Sequence, residues 1–416
     1  MLADNVSASS GPAQYHATMT QTFRDDLSHL LDDVQNPMID IRHDLHAHPE
    51  LAFDEYRTTQ VVTDRLIQLG YEIRPCPTAT GVVARLVGAR PGKRVMVRAD
   101  IDGLPVTEER ANLSYVSVNE GVMHACGHDV HTAGLLGVAD LLSRRRDELA
   151  GEFTLLFQPA EEAISGAKAM IDGGVLDSNP VDFVIGAHVT SLAPVGLVAT
   201  RAGVMMSDGQ TISVHLEGKG GHGAMASVEG NVVLAVSHLA PRLSSVVEGL
   251  VFEGTACACS AGILSAGTAN NVVPRHAQLR GTLRTFTSDQ KDEAVLRLRA
   301  LLADVENVFQ VKCELRLNEG TPAVVNNAEV AASVMSSAAA VVGEEGVITF
   351  PPVTPSDDMS EFLNRVPGCY LFIGGALADG SSGMHHSPDF AIDDDACRIV
   401  AGVLATAAVD LATRVD

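Results

Sequence analysis

At 416 residues the chain exceeds a typical single domain and is long enough for two. Apolar residues make up 46% and charged residues 19%, the composition of a globular protein with a substantial core, which excludes a disordered or fibrous chain. The 52 acidic residues outnumber the 29 basic ones to give a net charge of −23, a field that opposes binding to nucleic acid and to anionic membrane surfaces.

Residues 1–22 are polar, carry no apolar run of the signal-peptide kind, and read as a flexible N-terminal tail. Helical spacing follows in "DDLSHLLDDVQNPMIDIRHDLHAHPE", and "TTQVVTDRLIQLG" reads as an amphipathic helix ended by Gly70. Apolar strand candidates come next: "GVVARLVG", "KRVMVRAD", "FTLLFQPAEE" and "DFVIGAHV". Helical segments such as "TAGLLGVADLLSRRRDELA" and "SGAKAMIDGGVL" separate most of them, which predicts an α/β sandwich with a largely parallel sheet.

From about residue 203 the pattern changes. "QTISVHLEGK", "GTACACSAGILSAG" and "AQLRGTLRTF" alternate with period two, and "GNVVLAVSHLAPRLSSVV" and "SDQKDEAVLRLRALLADVENVF" are helical. The α/β style resumes after 318 with "AEVAASVMSSAAAVVG", "CYLFIGG" and a last helix, "CRIVAGVLATAAVDLA". That helix carries Asp410 and is too short for a bilayer, so it belongs to a core. The expected architecture is one domain, 23–202 and 319–416, interrupted by an inserted α+β unit, 203–318. Seven scattered cysteines without a C-x-x-C pair fit reduced thiols in a cytoplasmic protein.

The chemistry collects where strands end. "VMVRAD" finishes in Asp100, "TLLFQPAEE" in Glu161 and Glu162, and "FVIGAH" in His188; the loop after "YLFIGG" reaches His385 and His386. Ligands of open α/β sheets bind beyond the carboxyl ends of the strands. "MHACGHDVHTAG", residues 123–134, adds Cys126, His128 and His131. Cys126 could attack a substrate or hold a metal with the neighbouring imidazoles. Two glutamates in a row at a strand terminus point in opposite directions, so one can bind a metal while the other takes a proton from water. Thiolate, imidazole and carboxylate together form a donor set that Zn²⁺ accepts. "EGKGGHGA" lacks the Lys-Ser/Thr of a phosphate-binding loop.

"RHDLHAHPEL", "VRADIDGLPVTE", "MHACGHDVHTA", "QPAEE", "GAH", "GGHGA", "NVVP", "GTLRTF" and "HHSPDF" occur in an order that resembles the metal-dependent amidohydrolase branch of a metallopeptidase superfamily. That branch contains hippurate hydrolase, N-acyl-amino-acid amidohydrolases and auxin-conjugate hydrolases, and the resemblance runs from about residue 38 to the C-terminus. It implies two divalent ions, Zn²⁺ or Mn²⁺, with Cys126 bridging and His128, Glu162, His188 and His386, not His385, as the other ligands. It implies Glu161 as general base and Asp100 as the carboxylate that orients a ligand; His124, Asp129 and His131 are expected to be hydrogen-bonding scaffold, as groups beside metal ligands commonly are. In the insert, taken as a dimerisation and lid domain of a homodimer, it implies His222 as the oxyanion donor. Asn271 and Arg284 would hold the carboxylate of a small N-acyl amino acid. "MAS" after "GGHGA", "SDDM" at 356–359 and Asn270 depart from the family pattern and bear on specificity rather than on reaction class. A Cys126 nucleophile with His128 or His131 as its base would leave Glu162, His188 and His386 without a task. A metal-binding or interaction protein with a retired site would not need the base.

Overall fold

The computed structural model describes residues 12–110 and 113–414. The chain divides into two compact units: a larger one formed by the chain up to Gly203, Asn326–Phe350 and Glu361 onward, and a smaller one formed by Val204–Val325 with Pro351–Ser360.

The larger unit is built on an eight-stranded sheet. Its middle consists of β3 (Arg90–Asp100), β4 (Ala150–Gln158), β5 (Phe183–Pro194) and the Gly368–Ala376 strand, joined by parallel pairing in the order β4, β3, β5, Gly368–Ala376. On one side, β2 (Val82–Val87) pairs antiparallel with β4, and β1 (Glu72–Arg74) antiparallel with β2. Val198–Ala199 pairs antiparallel with the Gly368–Ala376 strand and parallel with Val347–Ile348 on the other side. Strands covered on both faces need continuous apolar runs, and Val95, Met96 and Val97 of β3 and Phe153, Leu155 and Phe157 of β4 are wholly buried. Each such side chain contributes about 1.5–3 kcal/mol.

Two helices, α3 (His128–Arg144) and Asp395–Ala412, are buried along most of their length. They approach so closely that a Cβ at Gly134 would stand 2.4 Å from Val400 Cγ1. Helix α1 (Pro12–Ala47) packs against both and α2 (Tyr56–Gln68) against α3; residues 12–22 belong to α1 where their polar composition predicted a flexible tail, and residues 1–11 lie outside the described residues. Phe23, Leu27 and Leu31 are buried apolar positions that continue the stripe toward the N-terminus and draw the helix out.

In the smaller unit a four-stranded antiparallel sheet runs in the order Ala258–Ala266, His276–Thr285, Asp208–Glu217, Lys312–Thr321. Leu298, Leu302, Val305 and Phe309 of the Ser288–Phe309 helix form its buried stripe, and Thr287 caps that helix through its side chain. Residues 351–360 join this unit, whereas the sequence reading assigned everything after 318 to the other. Backbone pairing explains the return: Val353 N–H donates to Met205 O at 3.0 Å and Ser207 N–H to Val353 O at 3.0 Å. No helix among the described residues is long and apolar enough to cross a membrane.

Asp129, in the first turn of α3, fastens α3 to α1 from inside the core. It accepts from Arg42 Nε at 3.1 Å and His46 Nδ1 at 3.0 Å, and all three side chains are buried. Burial works against a charged His46, but Asp129 and Glu108 outweigh it and raise the imidazole to about 9. A histidine raised on folding adds stability that is fully present below its unfolded value of about 6.5 and is lost as pH climbs through about 9. Asp129→Asn, which removes the carboxylate shared by two buried cations and leaves Arg42 only Asp394 and His46 only Glu108, is expected to cost about 3–5 kcal/mol in urea unfolding at pH 6.5. It should also flatten the decline of wild-type stability between pH 6.5 and 9. A variant that keeps that slope would show that the clamp does not carry it.

Candidate metal centre

The parallel strands deliver their carboxyl ends to one edge of the sheet, and the polar residues gather there. Asp100 closes β3 with one oxygen 2.5 Å from His131 Nδ1 and the other accepting from the fully buried Arg98 at 2.7 Å. Burial alone would raise this carboxyl; His128, Arg98 and His131 hold it well below the usual carboxylate range. His131 accepts from Val189 N–H at Nε2, 2.8 Å away, so both of its ring nitrogens are engaged and it braces β5 against β3.

Cys126 and His128 flank Gly127, which enters α3 in the left-handed region at φ 88°. A Cβ there would lie 2.5 Å from Val189 Cγ2, so the turn demands glycine on two counts. His128 Nδ1–H donates to Asp102 O at 2.9 Å, leaving Nε2 buried without a hydrogen-bond partner. Burial lowers His128, but Asp100, Asp102 and Glu162 overcome it and raise the imidazole to about 10.

Glu161 and Glu162 lie in a turn beyond β4, not in the strand as the sequence reading had it. Ala160 at φ 56° and Ile164 at φ 52° bend the chain sharply around them. The turn is fixed by Asp102, whose two oxygens accept from Glu161 N–H at 3.1 Å and Glu162 N–H at 3.0 Å. Asp102 was not singled out in the sequence, although the D-x-D spacing at the end of β3 puts it on the same side as Asp100. Glu162 Oε1 is buried without a hydrogen-bond partner and 3.4 Å from His386 Nε2.

His188 sits inside β5, paired with Phe372, rather than at its end, because the strand runs on to Pro194. Its Nδ1–H donates to Val189 O at 2.6 Å and its Nε2 is 3.5 Å from Cys126 Sγ. His386 adopts φ 65° and donates its N–H to Ala125 O at 2.8 Å, which seats the histidine loop beside Cys126. His385 Nδ1 also reaches Cys126 Sγ, at 3.6 Å. His124 is buried, and burial pushes it down to about 3.

Among the described residues, the donor groups whose ligand atoms lie within 4.8 Å of one another include Cys126, His128 and His188; Cys126, Glu162 and His386; and His128, Glu161 and Glu162. The first two share the Cys126 sulfur. Burial, then Glu162, Glu161 and Asp100, push the thiol well above its ordinary value, the reverse of what a nucleophilic thiolate needs. A cation among these atoms would relieve both the thiol and the two orphaned atoms, His128 Nε2 and Glu162 Oε1. The residues therefore fit a pair of divalent ions.

The remaining predicted residues belong to the smaller unit. His222 pairs with Val272, and Gly223 N–H donates to Asn271 O at 2.8 Å, so His222 and Asn271 are neighbours. His222 Nδ1 accepts from Ala224 N–H at 3.1 Å, which in the neutral ring puts the proton on an exposed Nε2. Arg284, half-buried near the end of its strand, donates to Ser356 Oγ of the atypical "SDDM" stretch.

The family model for peptidase family M20/M25/M40 matches residues 96–410. Thermostable carboxypeptidase 1 of Saccharolobus solfataricus is 35% identical over 92% of this chain and 97% of its own length. An N-acyl-L-amino acid amidohydrolase of Geobacillus stearothermophilus is 38% identical over 73% of this chain and 81% of its own. Among solved structures, the YXEP protein of Bacillus subtilis, a dinuclear metal binding peptidase from the M20 family, superposes with a TM-score of 0.78 at 29% identity, covering 92% of this chain and 100% of that one.

Gly127→Ala forces a side chain into a left-handed turn and against Val189. Urea denaturation is expected to show a loss of about 1–3 kcal/mol. An unchanged midpoint would mean that the turn relaxes without cost.

Proposed function

Since the chain belongs to peptidase family M20/M25/M40 and is a metal-dependent amide hydrolase, we propose that it cleaves small N-acyl amino acids, with Glu161 as the general base. The observation that carries this reading is the pair of donor groups sharing the buried Cys126 sulfur, with Glu161 beside His128 and Glu162. Cys126, His128, Glu162, His188 and His386 would hold two divalent ions, Zn²⁺ or Mn²⁺. When bound, the ions supply Lewis acidity, which lowers the pKa of a water toward ~7 and polarises the amide carbonyl.

The protein's own residues do the rest. The Glu161 carboxylate takes a proton from the attacking water and returns it to the departing amine nitrogen. Asp102 holds the Glu161 and Glu162 backbones still while this happens. Asp100 acts through His131, keeping β5 and its His188 in place. His222, with its proton on Nε2, donates to the oxyanion that develops on the former carbonyl oxygen. Arg284 and Asn271 bind the substrate's carboxylate, for which a guanidinium fork is well shaped. The name of the Geobacillus relative supports the substrate class. We assign a homodimer contact to the smaller unit, whose edge strand Ala258–Ala266 leaves Ile263 and Leu264 exposed.

Glu161→Gln is expected to lower turnover of an N-acetyl or N-benzoyl amino acid by about 10²–10⁴-fold, with metal content by elemental analysis unchanged. His222→Ala should lower kcat by about 10²–10³-fold, also without loss of metal. Amino-acid release that survives both EDTA and Glu161→Gln would refute the metal-and-base reading.

A further inference from the structure

The histidines around Cys126 differ in which ring nitrogen the backbone occupies. His128 and His188 each donate Nδ1–H to a carbonyl, Asp102 O and Val189 O, so in each ring Nε2 is the nitrogen turned toward the cluster and open to a cation. His385 is oriented the other way. Its Nε2 accepts from Ser191 N–H at 3.4 Å, with Thr190 Oγ1 at the same distance, and a ring nitrogen that accepts carries no proton. The proton of the neutral ring is therefore on Nδ1, the nitrogen 3.6 Å from Cys126 Sγ. A protonated nitrogen cannot bind a cation. Consistent with this, His385 belongs to none of the donor groups found among the described residues.

The ring is also well held. It packs against Phe390, centroids 4.9 Å apart, and the next residue, His386, ties the loop to Ala125 through its backbone. Sulfur, imidazole and backbone donor thus form a short chain: Ser191 N–H to His385 Nε2, and His385 Nδ1–H to Cys126 Sγ.

We propose that His385 is a positioning residue that donates an Nδ1–H hydrogen bond to the Cys126 sulfur and thereby sets how strongly that sulfur holds the ions. The inference rests on Cys126 being a shared ligand. A thiolate that accepts a hydrogen bond gives less electron density to its metals, which leaves them stronger Lewis acids for the amide carbonyl.

The test uses the full-length protein loaded with Co²⁺. The wild type should take up about two ions per chain and show a sulfur-to-cobalt charge-transfer band that Cys126→Ser removes. A wild type without bound cobalt, or with a band that Cys126→Ser leaves in place, would sink the shared-ligand reading itself. His385→Phe should retain both ions, move the band to longer wavelength, and lower kcat by about 10–100-fold. His385→Asn, whose amide NH₂ can take the place of Nδ1–H, should return the band and most of the rate. His385→Gln, whose longer amide misses the sulfur, replaces the Phe variant should that one not fold. Loss of an ion on changing His385 to Phe or Gln would overturn the proposal by making it a ligand. A band that stays where it was, or an Asn variant no better than Phe, would overturn it by removing the hydrogen bond.

Discussion

The end of the sheet is organised by the difficulty of burying Asp100, Glu161, Glu162 and the Cys126 thiol side by side. Like-charged groups out of water destabilise a fold by several kcal/mol each unless something answers them. Here the answer is local and complete for the groups at the back of the cluster. Asp100 receives Arg98 and His131, and Asp102 receives the two backbone N–H groups of the glutamate turn. The groups at the front are left open: His128 Nε2 and Glu162 Oε1 have no hydrogen-bond partner, and the Cys126 thiol is driven upward. A protein that satisfies its back row so thoroughly and leaves its front row open has concentrated its unmet demand where a cation can meet it.

Much of this was legible before any coordinates. The parallel sheet follows from apolar runs such as "KRVMVRAD" alternating with helical spacing, and the Ser288–Phe309 helix has the bounds its periodicity predicts. Candidate donors could be sought beyond the strands because a parallel sheet sends their carboxyl ends to one edge, and the motif resemblance narrowed them to Cys126, His128, Glu162, His188 and His386, whose ligand atoms lie in adjoining groups.

What escaped the sequence reading has a common cause: it depends on backbone conformation that residue type does not announce. Ala160, Ile164 and His386 take left-handed conformations without being glycines, so the turn that separates Glu161 from Glu162 left no signature. His188 was taken for a strand terminus because "GAH" ends an apolar run, yet β5 continues through Thr190, whose side chain lies beside His385. Residues 351–360 return to the smaller unit through backbone pairing with Met205 and Ser207, which no hydrophobic period records. Helix α1 begins earlier than its polar composition suggests, since its inward stripe, not its average polarity, decides whether it packs.

The histidines sharpen this point. His128, His131, His188 and His385 are the same side chain within one cluster, with ring centroids 4.7–6.1 Å apart between the contacting pairs. Type and proximity therefore do not distinguish them. The partner on the far side of each ring does. A carbonyl behind Nδ1 frees Nε2 as a donor atom for a metal, as in His128 and His188. A carboxylate on one nitrogen and an amide N–H on the other, as in His131, leave a brace. An amide N–H behind Nε2 leaves a proton facing the sulfur, as in His385. Each ring's role is thus written by the main-chain or carboxylate group behind it, at positions 100, 102, 189 and 191, and three of those four choices are made by backbone atoms that any residue would supply.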